Sequence, residues 1–329
     1  MSMKTPIFDK IIQVLRSVIH PPRIKRRGRP CLYKAKMIAV MFAVMMLKSI
    51  IHFKSMHKFL ITNPDMAKLL GFKGSIPDRS TLSRRFKGIY EFVKRQIKSL
   101  GHFLLAKNIT QSHIISVDST MHKACGPLWH KKDKMMGHIP GKLRNIDKEA
   151  EWGFSQYKQW VYGYKTHLIS TSPERGLTIP LDCEVSTANQ PDSCHAQSLV
   201  GRFSLKGSRY LLGDKGYDDQ KLRALCESKN IKFIGPMGRK PTHNKIRLAY
   251  LRLYQSKTGQ KIYKQRAKTI EPLFGHIKEL FLTAQLRMKG LKNVRTYLSF
   301  TVWLYQVLVY VNFIFNRPLR RLKYLVCAV

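Results

Sequence analysis

Between residues 113 and 236 five short apolar stretches follow one another: HIISVDST (113–120), QWVYGYKTHLIST (159–171), GLTIPLDCEVST (176–187), SRYLLGD (208–214) and IKFIGP (231–236). Each is rich in β-branched, aromatic or leucine residues, and the third alternates with period two, so each is expected to be a strand. A helical crossover separates the third from the fourth. DDQKLRALCESKN (218–230), a helix with Asp218 or Asp219 at its cap, separates the fourth from the fifth. Three strands, a helix, a strand, a helix and a strand is the order of a mixed α/β sheet with helices on its faces. No internal repeat interrupts it.

The first 105 residues are expected to be helical. IFDKIIQVLRSVI (7–19) has apolar residues at three- and four-residue intervals, and a second helical region covers 37–60. Between them PPRIKRRGRP (21–30) reads as an exposed basic linker or, through RGRP, as an arm for the minor groove of DNA. In GSIPDRSTLSRRFKGIYEFVKRQIK (74–98), Pro77 and Asp78 mark a helix start that Ser80 and Thr81 can cap. Leu82, Phe86, Ile89 and Phe92 or Val93 form one apolar stripe. The other face carries Arg79, Arg84, Arg85 and Lys87, either a plain basic surface or the recognition end of a helical DNA-binding module.

The chain has 329 residues, 60 Lys and Arg against 19 Asp and Glu, and a formal net charge of +41. Self-repulsion on that scale calls for a polyanion, with nucleic acid as the leading partner. Charge alone leaves DNA and RNA both open. The six cysteines are scattered without CxxC or paired Cys/His spacing and are expected to be reduced, mostly buried thiols of a cytoplasmic protein. The start lacks the features of a secretory signal. MIAVMFAVMML (37–47) is shorter than the roughly 20 residues that span a bilayer. LSFTVWLYQVLVYVNFIF (298–315) is long enough, but Ser299, Thr301, Gln306 and Asn312 favour a buried amphipathic helix over a membrane anchor.

In so basic a chain, acids that follow directly on strands stand out. Asp118 and Asp214 come after IISV and YLLG, and in an α/β sheet functional groups gather at strand ends. Neighbouring strands would bring the two together. Two such carboxylates repel each other unless a cation lies between them, and hard oxygen donors select Mg²⁺ or Mn²⁺. A pair of such ions about 4 Å apart suits phosphodiester chemistry. The alternative is that each Asp caps a turn. YKQRAKTIEPLFGHIKELFLTAQLRMKG (263–290) offers Glu271 as the third ligand, with Glu279 as the other choice. Glu271 precedes Pro272 and is therefore expected at a helix start or kink. Lys278, two turns on, would share its face. Tyr263 and Arg266 lie upstream, where Arg266 suits a phosphate.

In order, SVDST, GYKTHL, TANQPDS, LLGDKGYDD, YKQR and IEPLFGHIK resemble the insertion-sequence transposases with a DDE active site on an RNase H-like fold. The resemblance covers about 113 to 290, with a looser likeness before it. It implies an RNase H-like catalytic domain over 106–290, a helical DNA-binding region over 1–105 and a C-terminal helix over 291–329 packed on the catalytic domain. Asp118, Asp214 and Glu271 match the family's catalytic, metal-binding acids, which take two Mg²⁺ or Mn²⁺ ions. Tyr263, Arg266 and Lys278 match its Tyr, Arg and Lys signature. Four residues separate Arg266 from Glu271 where the family commonly has three, whereas the six between Glu271 and Lys278 are usual. The implied reaction is hydrolysis at transposon ends and attack of the freed 3′-hydroxyl on target DNA, by a homodimer on double-stranded DNA in the cytoplasm and nucleoid. No membrane and no small-molecule substrate is expected. A catalytically silent, transposase-derived DNA-binding protein is the alternative. Trp129, Trp152 and Trp160 are candidate DNA contacts or core residues. The spacing of His122, His130, His138 and His167 suits no ordinary zinc site.

Overall fold

The structure, a computed structural model, describes residues 6–19, 32–155, 159–204, 207–238 and 243–328. The basic stretch 21–30 and Cys31 lie outside these residues. Six helices come first: α1 (Pro6–Val18), α2 (Ala35–Leu47), α3 (Phe53–Thr62), α4 (Pro64–Leu70), α5 (Arg79–Gly88) and α6 (Tyr90–Ala106). The helix expected across 74–98 is thus two, parted at Ile89. Its cap is Asp78, whose carboxylate accepts from the Thr81 amide at 2.6 Å and the Ser80 hydroxyl at 2.8 Å. Ser80 and Thr81 are therefore not the cap. The apolar stripe behaves as expected, with Leu82, Phe86, Ile89, Phe92 and Val93 all buried.

The α/β part then runs β1 (Ile114–Lys123), α7 (Lys131–Met135), β2 (Glu151–Ser155), β3 (Gln159–Thr171), β4 (Pro180–Thr187), α8 (Asp192–Arg202), β5 (Tyr210–Leu212), α9 (Gln220–Ser228) and β6 (Lys232–Ile234). The sheet is mixed. β1 pairs antiparallel with β3, and β3 with both β2 and β4, while β5 lies parallel to β1 and to β6. This is the RNase H-like arrangement, with β2 as an added edge strand. EWGFS carries too little β-branched character to announce it. From Val161 to Thr171 every residue of β3 is buried, so helices cover both faces of the central strand. Gly163 belongs there for steric reasons, since a Cβ would stand 1.9 Å from the carbonyl oxygen of His122. Asp219 caps α9, while Asp218 is held instead by Arg223 and Arg247.

The chain ends in α10 (Lys245–Gln255), α11 (Lys257–Tyr263), α12 (Gln265–Phe281), α13 (Leu291–Ile314) and α14 (Lys323–Cys327). Helix α13 is long and apolar enough to cross a membrane, yet 83% of its most apolar stretch is buried inside the molecule. It packs on α6 and β4 and touches α1, α2 and α5. Its buried residues run without a break from Thr296 to Val309, so it is enclosed on all sides rather than amphipathic. Polar side chains within it make hydrogen bonds inside the core. Gln306 Nε2 donates to the carbonyls of Ile97 (3.0 Å) and Pro180 (2.7 Å), and the Thr301 hydroxyl donates to Leu298 O. One apolar cluster joins α1, α2, α5 and α6 to α13, α12 and one sheet face, while Ile115, Val117 and Ile169 pack on α8 and α9 across the other. Of the described cysteines only Cys183 and Cys226 are buried, and Cys194 and Cys327 are exposed. The expectation of mostly buried thiols is corrected accordingly.

Candidate active site

Strand register brings the two Asp residues together. In the parallel β1–β5 ladder Ser116 faces Leu212, so the residues two further along, Asp118 and Asp214, emerge side by side where β5 stops. Asp118 lies mid-strand in β1, not at its end, because β1 continues beside β3 past the end of β5. Asp214 also performs the turn-capping role weighed against catalysis, whereas Asp118, inside β1, caps no turn. Asp118 Oδ1 accepts from the Ser119 amide (2.8 Å), and Asp214 Oδ1 accepts from the Gly216 amide (2.8 Å), capping a single 3₁₀ turn. In each case Oδ2 turns the other way, toward Arg266.

Helix α12 supplies the remaining groups, and polar ties on either side of Glu271 set it against β1. Thr269 shares a hydrogen bond with Ser172 (2.9 Å), which in turn bonds Ser116 of β1. Further along, Lys278 Nζ donates to the Thr120 hydroxyl and to Met121 O (3.1 Å). Glu271 does not stand at a helix start but lies well inside α12, with Pro272 accommodated in the helix. An interior proline costs about 3 kcal/mol, and the burial of Ile270, Leu273, Phe274, Ile277 and Phe281 along one face offsets it. Glu279 points elsewhere and pairs with Lys323 at 3.0 Å.

At the centre is Arg266, only 12% exposed. Its Nη2 is 2.7 Å from Asp118 Oδ2 and 3.9 Å from Asp214 Oδ2, and its Nη1 is 3.1 Å from Glu271 Oε1. The three expected acids thus converge on one guanidinium. Burial pushes the Asp118 carboxyl up to about 6, against the pull of Arg266. Burial also raises Tyr263, half-buried beside the same groups. Among the described residues no three His, Cys, Asp or Glu stand close enough to hold a metal ion. The donor chemistry, three carboxylates around a cation, is nonetheless that of a hard divalent ion, with the guanidinium now in the middle.

A family model described as transposase DDE domain matches residues 110–307. The chain belongs to this transposase family. No curated protein matches it. Among solved structures, the piggyBac transposase synaptic complex with hairpin DNA is similar at 9% identity and a TM-score of 0.43, over 98% of this chain and 76% of that one. The Mos1 strand transfer complex is similar at 13% identity and a TM-score of 0.20, over 86% and 80%.

Around the acids of the DDE domain stand Tyr217, Asp192 and Lys165, which reading the sequence did not single out, and His167, which it weighed only for zinc. Tyr217, in the LLGDKGYDD stretch, is fully buried, and its hydroxyl is raised well above its usual range by burial and by Asp118, Asp192 and Asp214. Asp192, in TANQPDS, is held by the buried Lys165 at 2.9 Å, and His167 stands 3.4 Å from the same oxygen. Both motifs were visible, but nothing along the chain places β3, α8 and β5 side by side. Of the four basic residues of α5, Arg79, Arg84 and Lys87 line an open groove with Lys54 of α3 and Lys292 of α13, with no acid among its described lining residues. Arg85 instead donates to Tyr33 O at 2.7 Å. Trp129 and Trp152 are wedged into the fold by indole hydrogen bonds, to His138 O (2.8 Å) and Trp129 O (2.7 Å). Trp160 is exposed, with Lys131 Nζ 4.5 Å from the centre of its ring. His122 is buried and bonded to Thr283 O and Thr166.

Proposed function

We propose that this chain is an active DNA transposase, hydrolysing phosphodiesters at the ends of its element and joining the freed 3′-hydroxyl to target DNA. The observation that carries the reading is the meeting of Asp118, Asp214 and Glu271 around one positive group, in a chain whose net charge is +41. Three acids gathered where a polyanion must come are unfavourable unless they serve cation binding. Asp118, Asp214 and Glu271 would hold two Mg²⁺ or Mn²⁺ ions, whose chemistry when bound is to activate the attacking oxygen and neutralise the leaving one.

The rest falls to side chains of the chain itself. Tyr263, Arg266 and Lys278 hold the backbone of the strand being cut, Arg266 through its planar fork. Lys278, already tied to β1, keeps α12 and therefore Glu271 in place. The burial of Asp118 limits water around the reacting phosphate and strengthens each charge interaction there. The groove of Lys54, Arg79, Arg84, Lys87 and Lys292 takes the phosphates of a longer stretch of duplex, with Arg85 supporting α5 from behind. The working form is a homodimer on paired ends, in the cytoplasm and nucleoid.

The test is cleavage of a labelled duplex carrying the element's own end, with Mg²⁺ and with EDTA, by wild type and Asp214→Asn. Metal-dependent nicking at the end, lost in the variant while binding persists, is expected. Well-folded protein that binds the end and never cuts under any divalent ion would replace this reading with that of a silent DNA-binding protein.

A further inference from the structure

We infer that Arg266 occupies, in the DNA-free protein, the place that a divalent ion needs among Asp118, Asp214 and Glu271, and that a DNA phosphate draws it away. The inference rests on the reading of those acids given under the proposed function. It makes Arg266 a phosphate-binding residue that also couples metal loading to the arrival of substrate.

Three observations support it. First, the guanidinium lies within 4 Å of all three carboxylates, and with both Asp residues it engages Oδ2, the oxygen that accepts no backbone amide. A guanidinium does not lose its proton in a protein, so its charge cannot be removed by titration. It leaves only by moving. Second, the resting arrangement is incomplete. Three carboxylates face one positive charge, and Arg266 Nε is buried without a hydrogen-bond partner among the described residues. One donor of the fork is therefore unused, whereas a phosphate takes two guanidinium N–H groups side by side. Third, α12 does not depend on Arg266 for its place on the sheet, because Thr269 and Lys278 tie it down independently. The side chain can swing while Glu271 stays.

The consequence is an order of events. Without DNA, a divalent ion has to displace a cation already seated on the same oxygens, so the acids bind metal weakly. With a phosphate at hand the guanidinium moves to it, and the acids are left with a negative charge that only a metal satisfies.

The experiment measures Mn²⁺ binding to the full chain by the loss of the free-ion resonance signal, with and without an end-bearing duplex, the binding to duplex alone being subtracted. Arg266→Gln without DNA is expected to bind Mn²⁺ on the order of tenfold more tightly than wild type, and Asp118→Asn in the same background should remove that gain. Adding duplex should raise wild-type affinity by a similar factor and leave Arg266→Gln within roughly threefold of its DNA-free value. If Arg266→Gln binds Mn²⁺ no better than wild type, Arg266 is a fixed pillar and the inference falls. Should Arg266→Gln melt far below wild type, Arg266→Lys replaces it. A single ammonium cannot span three carboxylates, so a few-fold gain is expected, and no gain again overturns the inference. Because the readout is binding, protein that shows these affinities but never cuts sinks the transposase reading alone, while protein that cuts with unchanged Arg266→Gln affinity sinks this inference alone.

Discussion

The buried His167 and the buried acid Asp118 act in opposite directions on stability. Burial, with His195 and Lys165 nearby, holds the His167 imidazole down to about 2. Its contribution is complete above the unfolded value near 6.5 and is lost as pH falls below it. Asp118 is the reverse case, raised to about 6, so its contribution is complete below the unfolded value near 3.8 and is lost as pH rises through 6. Between about pH 6 and about 4.5 the two slopes, each about 1.4 kcal/mol per pH unit, cancel. In metal-free urea unfolding, His167→Gln should therefore gain about 2 kcal/mol on going from about pH 6 to about 4.5, and Asp118→Asn should lose about as much. Equal slopes in the two variants would show that these groups do not set the profile. At this scale much of the site was legible. Asp118, Asp214, Glu271 and Arg266 could all be named from their surroundings in the chain. The tie between Asp192 and Lys165 could not, because the two residues belong to different elements.

Among the elements, β1 and β3 show how a glycine permits a site. Gly163 lets β3 approach β1 closely enough for the ladder to extend past Asp118. Gly163→Ala is expected to cost roughly 3 kcal/mol or more, because the clash is with backbone rather than with a side chain that can turn aside. Thermal melting would check this, and a loss under about 1 kcal/mol would mean that the strands separate more easily than their register implies. The strands of the sheet other than β2 were readable because short apolar runs with clear breaks announce them. The β2 edge and the break at Ile89 were not. EWGFS has weak strand character, and the two helices meeting at Ile89 share one apolar stripe, so periodicity runs across the junction unchanged. Pro272 misled for a related reason. A local preference against helix is worth a few kcal/mol and yields to five buried apolar residues on the same helix.

For the whole molecule, a net charge of +41 makes DNA affinity steeply salt-dependent. If the groove between α3, α5 and α13 carries phosphates, Lys54→Glu, Arg84→Glu and Lys292→Glu should each weaken duplex binding, lowering the slope of log affinity against log salt by about one unit, while Mn²⁺ binding at the acids stays the same. Unchanged slopes would remove the groove from the DNA path. Lys292 belongs to this surface only because α13 passes through the body of the protein and leaves its first turn beside α5, a helix from the other end of the chain. Nothing near Lys292 in the sequence points to that neighbour. The composition, the order of strands and helices, and the residue types at the acids were determined by the sequence itself, because local preference and charge are written residue by residue. Tertiary structure alone decided that α13 is enclosed rather than amphipathic, that Oδ2 of each Asp faces inward, and that an arginine stands among the acids. Each of these depends on which distant segments share a volume, and that is settled by packing the whole core at once.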